Sequence, residues 1–194
     1  MNYYVEITLL SNPDVGLFKL WSQVFGQLHL SFVENQNGEK KVAIGLSFPE
    51  YKMGNKFGIL GGKCRLFSSE KTQLEKLDLQ KWLSRLSDYV HITSIRDVPK
   101  DVSRYTCFSR VQVKSNIERL ARRKAQHEKI SLEEAMKKLE KVERRVSELP
   151  FIHLRSLSGG QDFRLFIKKT ESDKSIEGSF SLYGLSPTVT VPDF

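Results

Sequence analysis

Cysteine is scarce in this chain, and long apolar runs are missing from it. The 194 residues include only Cys64 and Cys107, which have neither CxxC spacing nor a neighbouring histidine cluster. This spacing argues against a disulfide framework or a zinc site and favours two reduced, buried thiols. No apolar run approaches the roughly 20 residues that span a bilayer, and the N-terminus lacks the pattern of a signal peptide. We therefore expect a cytoplasmic protein with no membrane partner.

The sequence also lacks a cluster of carboxylates and histidines with the spacing of a metal site, so we predict no metal and no cofactor. What it has in excess is positive charge. Lys and Arg number 31 against 23 Asp and Glu, which gives a formal net charge of +8. Between Arg110 and Lys129 the seven Lys and Arg outnumber the two Glu by five. This concentration favours a polyanionic partner such as nucleic acid.

The first half of the chain alternates strand-like and helix-like patterns. Apolar residues recur at three- and four-residue spacing from Leu17 to Phe32, which predicts one face of a helix. The predicted elements are, in chain order, a strand over 4–9, this helix, a strand over 42–46, a strand over 64–67, a helical stretch over 69–86 and a strand over 90–98. The order βαββαβ predicts a ferredoxin-like domain over residues 1–98, a topology that hosts many functions.

Residues 99–194 predict a second α+β domain that follows the first. Ser115 with Glu118, and Ser131 with Glu134, are typical of the capping box that begins a helix. The predicted elements are a strand over 105–113, helices over 116–128 and 131–147, and strands over 151–155, 163–169 and 179–183. The whole chain is therefore predicted to be of the α+β class.

The first helix of this second domain carries an arginine stripe. Arg119, Arg122, Arg123 and Gln126 lie at i, i+3, i+4 and i+7 and so share one face. Such a stripe can bind phosphate oxygens, although a solvated helix face would have the same pattern. The next helix interleaves its Lys and Arg with Glu, which is typical of a salt-bridged surface.

Five motifs occur in a fixed order along the chain: FGQLH (25–29), IGLSFP (44–49), SRVQVKSN (109–116), LRSLSGGQDFRLFI (154–167) and YGLS (183–186). Together they resemble the CRISPR type I-F repeat-RNA endoribonucleases, which cut precursor CRISPR RNA, over nearly the whole chain. The resemblance implies a ferredoxin-like N-terminal domain and a C-terminal domain that places an arginine-rich helix in the major groove of an RNA hairpin. It also implies a chain that is monomeric when free and joins a multi-subunit surveillance complex.

The resemblance further implies roles for individual residues. His29 matches the catalytic histidine, Ser156 the serine that positions the attacked ribose, and Tyr183 a tyrosine of the catalytic pocket. The implied RNA-binding residues are Arg110 and Gln112 at base edges, Phe163 stacking on the terminal base pair, Arg119, Arg122 and Arg123 at phosphates, and Lys114 and Ser158. Where family members can carry further arginines, this chain has Gln126 and His127, which leaves the number of phosphate contacts open.

These residue types suit cleavage of RNA without a metal. The 2′-hydroxyl is a built-in nucleophile that must lose its proton and lie in line with the leaving oxygen. Histidine, with an ordinary pKa of about 6.5, can accept that proton near neutral pH. A serine hydroxyl can hold the ribose without adding charge. The expected products are a 2′,3′-cyclic phosphate and a 5′-hydroxyl.

Three other functions fit the same pattern. The chain could be a catalytically inactive RNA hairpin-binding subunit, a metal-dependent nuclease, or a basic structural or ribosome-associated protein. Each residue has a structural alternative as well. His29 could be a packing or capping histidine, and Tyr183 and Phe163 could be aromatics of a sheet.

Overall fold

The structure is a computed structural model that describes residues 1–10, 13–54, 56–112, 117–140, 147–156 and 159–194. Two compact units are present, one formed by Met1–Val111 with Leu149–Phe194 and the other by Gln112–Glu148. These units are defined by contacts within the chain. The division into functional domains at residues 98 and 99 remains a prediction.

The first sheet of the larger unit has the ferredoxin-like strand order. Its strands are β1 (Tyr3–Leu9), β3 (Gly45–Ser47), β6 (Lys63–Ser68) and β7 (Val90–Ile92), and the short β8 (Arg96–Asp97) also pairs with β1. The order is β3-β6-β1-β7, and each neighbouring pair is antiparallel. With helices after β1 and β6, this confirms the predicted βαββαβ arrangement and the α+β class.

Helix α1 (Leu17–Glu34) follows β1 and forms much of the core of this unit. Its predicted apolar stripe is the buried face, which includes Trp21, Val24, Leu28 and Phe32. These side chains belong to one hydrophobic cluster with the inward residues of the sheet. Burial of such large apolar groups is the main stabilising term of a fold of this kind.

The predicted helical stretch over 69–86 is three short helices. They are α2 (Lys71–Lys76), α3 (Leu79–Trp82) and a 3-10 helix over Ser84–Tyr89. The break lies at Asp78, whose backbone has a left-handed conformation (φ +44°) and whose carboxylate accepts a hydrogen bond from the Lys81 amide. Asp tolerates this conformation better than most residues, which explains why the helix stops there.

A second sheet in the same unit combines strands from the middle and the end of the chain. It contains β9 (Tyr105–Val111), β10 (Phe151–Arg155), β11 (Asp162–Ser172) and β13 (Val191–Pro192) in the order β10-β11-β9-β13, with antiparallel neighbours. Two small ribbons complete the unit: β2 (Lys41–Val42) pairs with β12 (Phe180–Ser181), and β4 (Lys52–Met53) pairs with β5 (Gly58–Ile59).

The smaller unit is a pair of helices in contact, α4 (Ile117–Glu128) and α5 (Leu132–Glu140). The Ser131 hydroxyl accepts a hydrogen bond from the Glu134 amide at 3.1 Å, which confirms that Ser131 caps the start of α5. The predicted cap at Ser115 lies outside the described residues.

A charged group of three side chains lies on the first sheet. Glu6 accepts hydrogen bonds from Arg65 Nε at 2.8 Å and from Lys63 Nζ at 3.2 Å, and Glu6 and Arg65 are direct partners across β1 and β6. Partial burial opposes ionisation of Glu6, but the hydrogen bonds and charges of Arg65 and Lys63 outweigh it and hold its pKa below the ordinary value.

Both cysteines are buried free thiols, as predicted. Burial raises the pKa of Cys64 and of Cys107, so neither thiol ionises near neutral pH. Among the described helices, none combines the length and apolar character needed to cross a membrane.

Candidate active site

His29 lies on α1 beside the buried stripe and is itself half-buried. Its ring Nδ1 is 2.7 Å from the main-chain carbonyl oxygen of Leu182. A carbonyl oxygen can only accept a hydrogen bond, so Nδ1 must carry the proton and donate it. In the neutral ring this leaves the lone pair on Nε2, which is then free to act as a base.

Tyr183 lies flat against the His29 ring. The two ring centroids are 4.5 Å apart and the planes are nearly parallel, at 7°. On the same side of α1, Phe25 stacks with Tyr183 at 6.4 Å. The imidazole is therefore held by a hydrogen bond at its edge and by an aromatic ring at its face.

A tight turn after β12 supplies both of these contacts. The turn is closed by a hydrogen bond from the Gly184 amide to the Ser181 carbonyl at 2.8 Å, and the Gly184 carbonyl accepts one from the Leu46 amide. Gly184 has φ +67°, and a Cβ there would be 2.7 Å from Leu46 Cγ. This position therefore needs glycine, and the YG of the YGLS motif is explained by the turn that presents Leu182 and Tyr183 to His29.

Arg110 contacts two aromatic rings of the site. Its guanidinium carbon is 5.3 Å from the centre of the Tyr183 ring and 5.6 Å from that of Phe163. Tyr183 thus contacts both the imidazole and the guanidinium, and the guanidinium also contacts the Phe163 ring. Residues from α1, β9, β11 and the turn after β12 all contribute, so four of the predicted site residues come together.

Ser156 lies at the end of β10, in the loop that leads to β11. Its amide donates to the Gln161 carbonyl at 2.8 Å, which continues the β10-β11 ladder by one pair, and its hydroxyl accepts a hydrogen bond from the Gly159 amide at 3.2 Å. Leu154, two residues earlier, pairs directly with Phe163. Because side chains alternate along a strand, Ser156 is on the same side of the hairpin as Phe163, about 7 Å along the strand.

Of the other predicted RNA-binding residues, the described ones belong to the smaller unit. Gln112 follows β9 directly and is exposed, and Arg122 and Arg123 are exposed on α4. Arg119 lies in α4, but its side chain is outside the described part of the chain, as are Lys114 and Ser158 altogether. The predicted roles of all these residues remain predictions.

Ion pairs reduce the free positive charge of the two helices. Glu128 at the end of α4 contacts Lys124 at 3.3 Å and Lys138 of α5 at 3.0 Å. The hydrogen bond and charge of Lys138, together with those of Lys124, lower the pKa of the Glu128 carboxyl. Among the cations of the second helix, Lys138 is thus paired with Glu128 of α4, whereas the interleaving predicts partners on its own helix.

The structure adds one group that the sequence could not reveal. The Leu182 carbonyl is a main-chain atom, so residue type gives no sign that it orients His29. Gly184 was the available signal, since glycine supplies the positive φ that many turns need. Over the described ranges, no three His, Cys, Asp or Glu side chains are grouped so that they could hold a metal ion.

Comparison with known proteins identifies relatives that align over the full length of the chain. A profile of the family described as "CRISPR-associated protein (Cas_Csy4)" matches residues 4–194. A protein of Pseudomonas aeruginosa (strain UCBPP-PA14) named "CRISPR-associated endonuclease Cas6/Csy4" is 38% identical over 195 aligned residues, which cover 100% of both chains. A protein of Escherichia coli (strain UTI89 / UPEC) with the same name is 34% identical, again over 100% of both chains.

Proposed function

The chain belongs to the Cas_Csy4 family of CRISPR-associated proteins, and from that premise we propose that it is an endoribonuclease that processes CRISPR repeat RNA. Its substrate would be the repeat hairpin, cut at the base of the stem. The relatives named as CRISPR-associated endonucleases support the reaction class. The hydrogen bond between His29 Nδ1 and the Leu182 carbonyl is the observation that best supports base catalysis, because it leaves Nε2 to accept a proton.

In this proposal His29 is the general base. With its proton fixed on Nδ1 by the Leu182 carbonyl, the neutral ring offers Nε2 to the ribose 2′-hydroxyl. The hydroxyl oxygen, once deprotonated, attacks the adjacent phosphorus, and the bond to the 5′-oxygen of the next nucleotide breaks. The leaving oxygen takes a proton from solvent and His29 later releases the one it took, so no proton is lost or gained overall. The products are a 2′,3′-cyclic phosphate and a 5′-hydroxyl, and the reaction consumes no water and needs no metal.

The neighbouring side chains would position the RNA around this base. The Ser156 hydroxyl would hold the attacked ribose, and Tyr183 would keep the imidazole in its plane. Phe163 would stack on the terminal base pair and Arg110 would read a base edge beside it. Because Arg110 fills the space between Phe163 and Tyr183 here, it would have to leave that place to reach a base.

The remaining RNA contacts would come from the basic helix. We propose that Gln112 and Lys114 contact the stem, that Arg119, Arg122 and Arg123 contact its phosphates, and that Ser158 contacts the RNA near the cut. In this view residues 99–194 act as the RNA-binding domain. The protein would work in the cytoplasm, as a monomer when free, and would join other subunits of a surveillance complex.

The central test is a His29→Ala variant assayed on the cognate repeat hairpin. Loss of a positioned base should lower the cleavage rate by roughly a hundred- to ten-thousand-fold. Hairpin binding should be retained, because the basic helix is unchanged. His91→Ala is the matched control, since His91 is an exposed histidine on β7, and it should cleave like the unmodified chain.

Two further assays separate the alternatives. A hairpin with deoxyribose just 5′ of the cut lacks the nucleophile, so cleavage of that RNA would rule out the internal attack. Cleavage that stops with EDTA would instead indicate a metal-dependent nuclease. If the unmodified chain binds the hairpin and never cuts it, the protein is an inactive hairpin-binding subunit.

A further inference from the structure

The second sheet has one buried face and one face that the proposed reaction does not use. Side chains alternate across β10 and β11, so Ile152 and Leu165 are fully buried. The opposite side chains are half-buried or exposed. We call this surface the aromatic-basic face; with one residue from the start of α1, it consists of Phe18, Phe151, His153, Arg164, Phe166 and Lys168.

The rings of this face form one continuous cluster. Phe151 pairs with Phe166 across the strands, with ring centroids 5.3 Å apart. Phe18 meets the edge of Phe151 at 5.6 Å and lies 6.4 Å from the ring of His153. Phe18 is nevertheless 57% exposed, so this cluster presents an apolar surface to solvent.

Positive charge is interleaved with these rings. Arg164 pairs with His153 across the strands, and its guanidinium carbon is 4.9 Å from the centre of the Phe151 ring. Lys168, two residues beyond Phe166 on the same side, is exposed. One carboxylate, Asp162, lies on this side of the β10-β11 hairpin, where it is the cross-strand neighbour of Arg155 at the hairpin end.

We propose that the aromatic-basic face binds single-stranded RNA that flanks the hairpin, with bases stacked on its rings and phosphates held by Arg164 and Lys168. Exposed aromatic rings beside cations are the arrangement that holds single-stranded nucleic acid without regard to sequence. A guanidinium plane over a ring extends the stacking surface. The inference rests on the proposed function, because it takes the hairpin to be bound by the same protein.

The face is close enough to His29 for one RNA to reach both. Helix α1 carries Phe18 near its start and His29 eleven residues later, which corresponds to about 16 Å along the helix axis. That distance is a few nucleotides of extended single strand. A strand leaving the foot of a hairpin at His29 can therefore follow α1 to the aromatic-basic face.

The test compares three RNAs on the full chain, all with the blocking deoxyribose just 5′ of the cut. One is the repeat hairpin alone, and the other two carry about twelve extra uridines, one on the 5′ side and one on the 3′ side, enough for one single-strand site. We expect at least one flank to increase affinity by about fivefold or more, the lower end for one stacked base. Phe18→Ala with Arg164→Gln should remove that increase and leave affinity for the hairpin alone unchanged.

The controls match each substitution in chemistry. Phe194 is 36% exposed and packs against Tyr4 and Phe67 of the first sheet, and Arg85 is an exposed arginine outside the face. Phe194→Ala with Arg85→Gln should keep the full increase from the flank. Cross-linking of 4-thiouridine in the flank should label peptides that contain Phe18 or residues 151–155.

Three results would overturn the inference. Equal affinity for all three RNAs would show that the face does not bind single-stranded RNA. An increase that survives Phe18→Ala with Arg164→Gln, or that the control variant also loses, would place the flank elsewhere. Failure of the proposed function is distinguishable, because it would appear as no cleavage of the all-ribose hairpin by the unmodified chain.

Discussion

His29 is held by two contacts of different kinds, and each should affect catalysis separately. The Leu182 carbonyl fixes which nitrogen carries the proton, and the Tyr183 ring fixes the plane of the imidazole. Neither contact adds a charge to the histidine. The proposed base is therefore oriented by neutral groups, which differs from sites where a carboxylate orients the ring.

The Tyr183 contact predicts that the ring matters more than its hydroxyl. Tyr183→Phe keeps the stacking surface against His29 and Arg110, so cleavage should remain close to that of the unmodified chain. Tyr183→Leu loses an aromatic pair worth about 0.5–1.5 kcal/mol, so the rate at saturating RNA should fall roughly two- to twelvefold. Single-turnover cleavage measures both. Equal loss in the two variants would instead indicate a role for the phenol hydroxyl.

At the scale of secondary structure, the charged group on β1 and β6 makes the folding stability of the protein depend on pH. Glu6 has a pKa below its ordinary value because Arg65 and Lys63 stabilise the carboxylate. A lowered pKa in the folded state adds stability above the unfolded pKa, and this stability is lost as pH falls through the folded pKa.

Glu6→Gln should therefore lower the free energy of unfolding at pH 7 by about 1 kcal/mol, a value reduced for partial exposure to solvent. The difference between the two chains should shrink as the pH falls below about 4, the ordinary range of a glutamate. Urea unfolding at several pH values measures it. The prediction would be wrong if the difference grew in acid.

Several elements could be predicted because their signals are local. The apolar stripe of α1 and the alternation of β1 and β10 are visible within a few residues, and both are observed. The predicted strand over 90–98 is interrupted by a one-residue change of register along β1. Ile7 pairs with Ile92 of β7, whereas Tyr4 pairs with Arg96 of β8, so this segment has one residue more than β1 over the same length. The predicted strand over 42–46 divides into β2 and β3, which pair with different partners, β12 and β6.

The site itself was predictable only in part. Motif resemblance named His29, Tyr183, Arg110 and Phe163, and the structure brings their side chains into one cluster. It could not indicate that Arg110 would lie between two rings, since the pairing of β9 with β11 joins residues more than fifty positions apart. Contacts of this range depend on the whole fold and leave no short pattern in the sequence.

At the scale of the whole molecule, the net charge of +8 predicts RNA affinity that depends strongly on salt. The structure indicates which cations should contribute most to this salt dependence. Lys124 and Lys138 already pair with Glu128, while Arg123 is exposed. Cations held by a carboxylate release fewer counterions when RNA binds.

Arg123→Gln should therefore reduce the slope of log affinity against log salt by about one, as expected for one lost phosphate contact. Cleavage at saturating RNA should be unchanged, since Arg123 is not in the His29 stack. Lys138→Gln is the control and should change the slope less. Hairpin titrations from low to high salt measure all three chains. An unchanged slope in Arg123→Gln would remove this residue from the phosphate contacts.

The contacts between α1 and the turn after β12 also have a consequence for the synthesis of the protein. The imidazole of His29 is translated early, but its orienting carbonyl belongs to Leu182 and its stacked ring to Tyr183. A nascent chain on the ribosome therefore carries an unoriented histidine until more than 150 further residues have been added. The proposed nuclease would stay inert throughout that interval, so RNAs near the translating ribosome would be spared from premature cutting.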